Sequence, residues 1–235
     1  MTTADSPQRV DGWTAAVRQR LGLGRLLPLG GPEDGTWIAE RAAVEVLRSA
    51  VAGPGAALGE LRIGPADPDA DPGREQAGAA VPAPPSAYPA GPLRIEAEFS
   101  ATMDRPLPVT AEALRSALLD TARRRLGMVV TEIDLRVTEL LDAMPEPVAA
   151  PAAEIRTGEP EGAAGAAAAA VPGVVALTRV LGSAVHTGAD HVRVEVATAG
   201  DHRALDVARA VRTAVTAAVE SHPPVSVLVT AVAAS

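Results

Sequence analysis

The sequence contains no lysine and no cysteine, and its 235 residues include four aromatic side chains, Trp13, Trp37, Tyr88 and Phe99. Without lysine there is no Schiff-base amine and no phosphate-cradling Walker lysine. Without cysteine there is no disulfide framework, no thiolate nucleophile and no cysteine-based zinc site. The charge balance leans to one side: 29 acidic residues stand against 21 basic ones, a net charge of −8. Such a chain repels phosphate backbones unless its arginines cluster, and four aromatics offer little for bases to stack on. No nucleic-acid partner is therefore expected. Long apolar runs are also lacking. The stretch from Gly162 to Thr178 is mostly Ala and Gly with Pro172 inside it, short of the ~20 strongly apolar residues a membrane span needs. The start, Met1-Thr2-Thr3-Ala4-Asp5, has no basic segment followed by an apolar run, so no signal peptide is expected and the reading is cytoplasmic.

What is present is a core of small aliphatics. Hydrophobic residues make up 47%, enough to bury a core, but Ala and Val dominate it and each buries little area. Arg, Ala, Gly and Pro are enriched together, as high-GC coding produces. Prolines crowd Gly64 to Pro92 and recur from Asp142 to Gly162; fixed φ and missing donors mark both as extended connections. The expected organisation is an N-terminal helical segment (1–31), a first module (32–141) containing the Pro-rich loop 64–92, a linker (142–162) and a second module (163–235).

Each module shows the same order of periodicities. In the first, Ile38, Ala42, Val46 and Ala50 lie on one helical face over Thr36 to Ala52, and Leu58 to Ile63 is a short strand. Leu93, Ile95, Ala97 and Phe99 alternate with polar residues, predicting a half-buried strand. A helix capped by Thr110 carries Leu114, Leu118, Ala122 and Leu126, and Gly127 closes it. Val129 to Val137 alternates as a further strand. In the second, a helix at Ala163 to Val171 precedes strands at Val174 to Leu181 and His191 to Thr198, a helix at Leu205 to Ser221 and a strand at Val225 to Val232. Leu93-Arg94-Ile95-Glu96 reads like Val192-Arg193-Val194-Glu195. The fold class is α+β: two diverged α-β-β-α-β modules, each a three-stranded sheet with its helices on one face.

Residues that suggest chemistry have plainer readings beside them. Asp67-Pro68-Asp69-Ala70-Asp71 alternates like a calcium loop, but the sixth and twelfth positions, Pro72 and Gly78, carry neither the glycine nor the bidentate glutamate such a loop needs. These are solvated linker carboxylates. His186, His191, His202 and His222 match no zinc spacing and read as surface histidines near turns. Asp190-His191 and Asp201-His202 lack an activated nucleophile, since Ser183 has no elbow context. Gly22-Leu23-Gly24 follows no strand and is no dinucleotide fingerprint. Neither a catalytic residue, a metal ligand nor a cofactor site is expected.

Two segments point to contacts. Arg9 to Arg25 carries Arg18, Arg20 and Arg25 beside Trp13, Val17 and Leu21; it suits a headgroup boundary or a partner's groove, or a helix packed on its own module with a solvated face. The last strand is apolar on both faces, with Val225, Val227 and Val229 on one and Leu228 and Val232 on the other. It needs a cover. Three-stranded sheets also leave edges that invite pairing. Either the modules pack together or the chain self-associates through the second.

Taken together, several runs resemble the alkaline-shock, envelope-stress-response family. They are Pro92 to Phe99, Arg105-Pro106-Leu107-Pro108-Val109, and Leu126-Gly127-Met128-Val129-Val130-Thr131-Glu132-Ile133-Asp134-Leu135-Arg136-Val137. Thr36-Trp37-Ile38-Ala39 is similar to that family's entry into its first helix, and Ala170-Val171-Pro172-Gly173-Val174 to the turn that follows it. The first module departs from the pattern, offering Gly53-Pro54-Gly55 and a long proline loop. The opening run Trp13 to Gly31 is similar to actinobacterial proteins labelled "nucleopolyhedrovirus P-ten family". The resemblance implies a non-catalytic, oligomeric scaffold or interaction protein held near the inner membrane face by partners. A KH-like nucleic-acid module and an enzyme of another type are the alternatives, but the Gly-x-x-Gly clamp of the first is missing and the second has no converging polar residues.

Overall fold

The computed structural model describes residues 22–51, 55–67, 81, 83–84, 86–143, 155–188, 191–220 and 222–234. These form four α-helices and two sheets, of six and of three strands. In chain order the elements are β1 (Leu26–Leu29), β2 (Thr36–Ala39), α1 (Glu40–Ala50), β3 (Ala56–Pro65), β4 (Leu93–Thr102), α2 (Leu107–Thr121), β5 (Val130–Leu141), α3 (Gly162–Ala169), β6 (Val174–Leu177), β7 (Val185–Thr187), β8 (Val192–Thr198), α4 (Ala204–Ala218) and β9 (Val225–Val232).

The small sheet runs β3-β4-β5, antiparallel and then parallel, with α2 as the crossover between its parallel strands. Its alternation is the expected one: Leu93, Ile95, Ala97 and Phe99 are buried, and Glu96 faces out. Helix α2 starts four residues earlier than a cap at Thr110 would place it. Pro106 precedes it and Pro108 sits in its first turn, where a fixed φ suits the helix and the missing N–H would have had no partner. Thr110 is buried within the helix instead. Beyond α2 the chain widens into a π turn, Ala122–Leu126, and Gly127 ends it at φ 90°.

The large sheet runs β1-β2-β9-β8-β6, with β7 pairing on β8 beside β6. Strand β8 is antiparallel to β6 and parallel to β9, and α4 crosses between the parallel pair. Val192, Val194 and Val196 stand in register with Val225, Val227 and Val229, so two alternating strands bring their β-branched residues together on one face. Val207, Val211 and Val215 of α4 are buried with them.

Residues 26–39 depart from the helical expectation. The segment 26–29 is a strand, and Thr36–Ala39 is a strand rather than the first turn of a helix, which begins at Glu40. The i, i+4 spacing of Ile38, Ala42 and Val46 is real but spans a strand-to-helix junction. All eight residues of β1 and β2 are buried, so tertiary pairing decides their state over local period. Pro28 is tolerated because β1 is the outer strand of the sheet, where a missing N–H costs no ladder bond. Strand β2 lies parallel to β9, with Thr36, Trp37 and Ile38 beside Val227, Leu228 and Val229. The second sheet therefore has six strands, not the expected three, and draws two of them from the start of the chain.

Helix α1 joins the two sheets. Ala42, Ala43, Val46 and Leu47 face inward, and α1 packs on β2 and β9 of the large sheet and on α2 and β3 of the small one. The buried apolar residues of both sheets form one cluster. Of the two expected outcomes, packing together or self-association of the second module, the structure shows the two sheets sharing this core. The end of the proline loop also takes part: Val81 is buried, and the Tyr88 N–H donates to the Leu26 carbonyl at 2.8 Å.

Candidate functional site

Strand β9 cannot serve as a contact surface. Val225, Val227, Leu228 and Val229 are each at most 1% exposed, because β2 and β8 pair along both edges of β9 and α1 and α4 pack on it. The two-faced apolar pattern of β9 needs a cover, as its sequence indicates, and the chain supplies that cover itself. Val232, at the end of the strand, is half-buried. Of the N-terminal candidates, Trp13, Val17, Arg18 and Arg20 lie outside the described residues. Arg25 is engaged within the chain. Its guanidinium lies 5.3 Å from the Tyr88 ring centroid, and its backbone N–H donates to Glu40 Oε2 at 3.0 Å.

Strand β5 shows the opposite pattern, and the sequence reading did not single it out. It is twelve residues long and pairs on one side with β4. Among the described residues no strand pairs with its other side. Ile133, Leu135 and Val137 lie beside Ile95, Ala97 and Phe99 of β4 and extend that buried layer to the sheet margin. There Ile133 and Leu135 are half-buried, Val137 is 38% exposed and Leu140 is 50% exposed. The one signal in the sequence was the length of the alternating run, which does not tell which neighbour pairs with the strand's second edge.

The other face of the small sheet is charged. Arg94 lies opposite Glu132, Glu96 opposite Asp134, and Glu98 opposite Arg136. Arg94 Nε reaches Asp134 Oδ2 at 2.6 Å and stands 3.9 Å from Glu132. The hydrogen bond to Asp134, and then its charge, raise the Arg94 pKa above its ordinary value. With Glu60 and Arg62 of β3 included, acids outnumber arginines on this face, and every group is open to water. Exposed pairs of this kind contribute little to stability.

A second polar cluster binds the N-terminal strands to α4. Asp34, in the turn between β1 and β2, is buried. It accepts from the Gly31 N–H at 2.8 Å and from Arg209 Nε and Nη2 at 2.7 and 2.9 Å. Arg212 donates to the carbonyls of Glu33 and Asp34. Burial pushes the Asp34 carboxyl up. The hydrogen bonds from Arg209 and Gly31, with the charges of both arginines, outweigh it and hold the pKa below the usual value. This is an anchor between elements.

Glu195 is fully buried on β8 and accepts from the N–H groups of Val180 and Leu181 at 2.7 and 3.1 Å. Its counterpart in the similar tetrapeptide, Glu96, faces water, so the corresponding glutamate holds a loop in one half and stands on a surface in the other. His202 contacts Asp201 at 2.9 Å with both side chains exposed, and His186 and His191 stand 6.3 Å apart between ring centroids. No group of three or more metal-ligating side chains occurs among the described residues. Of the acidic run from Asp67 to Asp71, all but Asp67 lies outside them. No described helix is long and apolar enough to cross a membrane.

Comparisons with protein-family models, with curated proteins and with solved structures find no match to this chain.

Proposed function

We propose that this chain is a non-catalytic scaffold of the envelope-stress-response type, built from two diverged α-β-β-α-β modules, which engages protein through the open edge of its small sheet. The observation that carries the reading is β5: twelve residues, one side of which no described strand pairs with, and apolar side chains at the margin of a buried layer. Such an edge offers a row of backbone donors and acceptors to an incoming strand, with the alternate side chains supplying selectivity. The duplicated-module reading is supported by connectivity. Strands β3, β4 and β5 repeat the pairing of β6, β8 and β9, antiparallel and then parallel across a helix. The acid excess on the open face argues against nucleic acid, since a phosphate backbone laid there would meet more carboxylates than guanidiniums. On this reading the protein is cytoplasmic and peripheral to the membrane, and the Arg-rich segment 9–25 provides a second contact to a partner or to anionic headgroups.

The test is capture of partners from native cells by the full chain, by the chain lacking residues 1–21, which leaves β1 intact, and by Val137→Lys/Leu140→Lys. Both substituted side chains are exposed, so the fold survives while charge is placed at the edge. We expect the edge variant to retain less than a tenth of the partner that the wild type captures. Equal capture by both sinks the proposal.

A further inference from the structure

We infer that the occupant of the β5 edge is β5 of a second copy of this chain, paired antiparallel about Leu135. The inference rests on the scaffold reading above and adds the partner and the register. Cross-strand neighbours in an antiparallel pair point to the same face, so any self-pairing of β5 can be checked residue by residue.

With the two-fold axis at Leu135, that residue faces its own copy, and Ile133 and Val137 face each other on either side of it. All three belong to the layer that continues the buried residues Ile95, Ala97 and Phe99 of β4. On the opposite face Asp134 then stands against Arg136 of the second copy, twice, and no like charges meet. Neighbouring registers do worse. Centring on Ile133 sets Glu132 against Asp134. Centring on Asp134 sets that carboxylate against itself, and centring on Arg136 does the same with a guanidinium. A slip of one residue would oppose apolar to charged side chains and put the two helix layers on opposite faces. The sequence of β5 is thus self-complementary in one arrangement, which joins the small sheets of two molecules into one six-stranded sheet with helices on a common face.

Two further observations fit this occupant. Over the regular stretch from Glu132 to Val137 the edge has no proline, and its charges all lie on the face away from the helices. The two irregularities, at Thr131 and Thr138 where the pairing with β4 shifts register, flank the central pairs. In the large sheet, moreover, the strand that follows the crossover helix, β9, has its outer edge covered by β2. Among the described residues nothing plays that role for β5.

The experiment uses the full chain and light scattering after size exclusion. The wild type is expected at twice the 23.8 kDa of one chain. Asp134→Arg alone places arginine against arginine, and Arg136→Asp alone places aspartate against aspartate; each should weaken the dimer at least tenfold. In an equimolar mixture of the two variants, one strand carries arginine at both positions and the other aspartate at both. Both cross-strand contacts are then attractive again, and the dimer should be recovered as a heterodimer. Both native side chains are exposed, and recovery on mixing shows in itself that the variants are folded. Because the chain has no cysteine, Leu135→Cys gives a second readout: mild oxidation should cross-link it to a dimer, while Glu112→Cys on α2 should not cross-link. A wild type that stays monomeric at high concentration overturns the inference, as does a dimer untouched by both charge reversals or a mixture that fails to recover. If the wild type is monomeric yet partner capture still depends on Val137 and Leu140, the self-pairing falls and the scaffold reading stands. If neither self-association nor capture depends on the edge, both fall.

Discussion

Individual polar residues in this molecule do different work according to what covers them. Asp34 and Glu195 are buried acceptors that hold loops and helices in place, whereas Asp134 and Glu96 stand in water. For Asp34 the lowered pKa has a definite consequence. A carboxyl whose folded pKa lies below its unfolded value stabilises the fold above the unfolded value, and that contribution is lost as pH falls through the folded value. Asp34→Asn should therefore lower stability near neutral pH by roughly 2 kcal/mol, since it breaks a charge-assisted pair with a half-exposed arginine. The deficit against wild type should shrink as pH drops below the ordinary carboxyl value of 3.8. Thermal melts of both proteins between pH 7 and roughly pH 3 would show it; a deficit that stays constant over that range removes the ion pair as the cause. Gly127 illustrates the other residue-scale constraint. It sits at φ 90°, its carbonyl accepts from the Gly30 N–H at 3.1 Å, and a β-carbon there would overlap Leu205. Gly127→Ala should cost about 2 kcal/mol through strain and overlap combined, read as a lowered midpoint in denaturant.

At the scale of elements, β9 and β5 exchange the roles that their sequences suggest. Strand β9 is apolar on both faces and reads as a sticky surface, yet it lies in the middle of the large sheet. Strand β5 alternates and reads as an ordinary half-buried strand, yet among the described residues no strand pairs with its second side. Periodicity reports which faces of a strand are apolar; it does not report which neighbour covers its edge. The distinction is measurable. Leu228→Ala should destabilise the fold by roughly 2–4 kcal/mol, as truncation of a fully buried leucine does, and leave association per folded molecule unchanged. The order helix, strand, strand, helix, strand was legible from α1 to β5, and in the second half apart from β7, because its apolar spacings are regular; β7 (Val185–Thr187) is too short to show a period. The strands at 26–39 were not. Leu-Leu-Pro-Leu carries no alternation, and Thr36 to Ala39 runs directly into a helix whose spacing absorbs Ile38. The buried Glu195 was equally hidden, since the loop that covers it arrives from another part of the chain.

The whole molecule unfolds as a unit if the shared core governs it. Helix α1 touches both sheets, and Leu47 on its inner face is fully buried. Leu47→Ala should lower the melting temperature by roughly 5–12 °C at a cost of about 2–4 kcal/mol, and calorimetry should show one transition before and after the change. Two transitions, one of them unmoved by Leu47→Ala, would mean that the sheets melt independently.

The pairing of β2 with β9 sets a constraint on biosynthesis. Thr36, Trp37 and Ile38 emerge from the ribosome early, but the strand they lie beside, through Val227, Leu228 and Val229, is translated far later. Until then Leu27, Leu29 and Ile38 have no permanent shelter, and closure over so long a loop is slow. The nascent chain must keep this apolar pair of strands out of wrong pairings for most of its synthesis. Chaperone demand, and the hazard of aggregation before completion, therefore concentrate at residues 26–39.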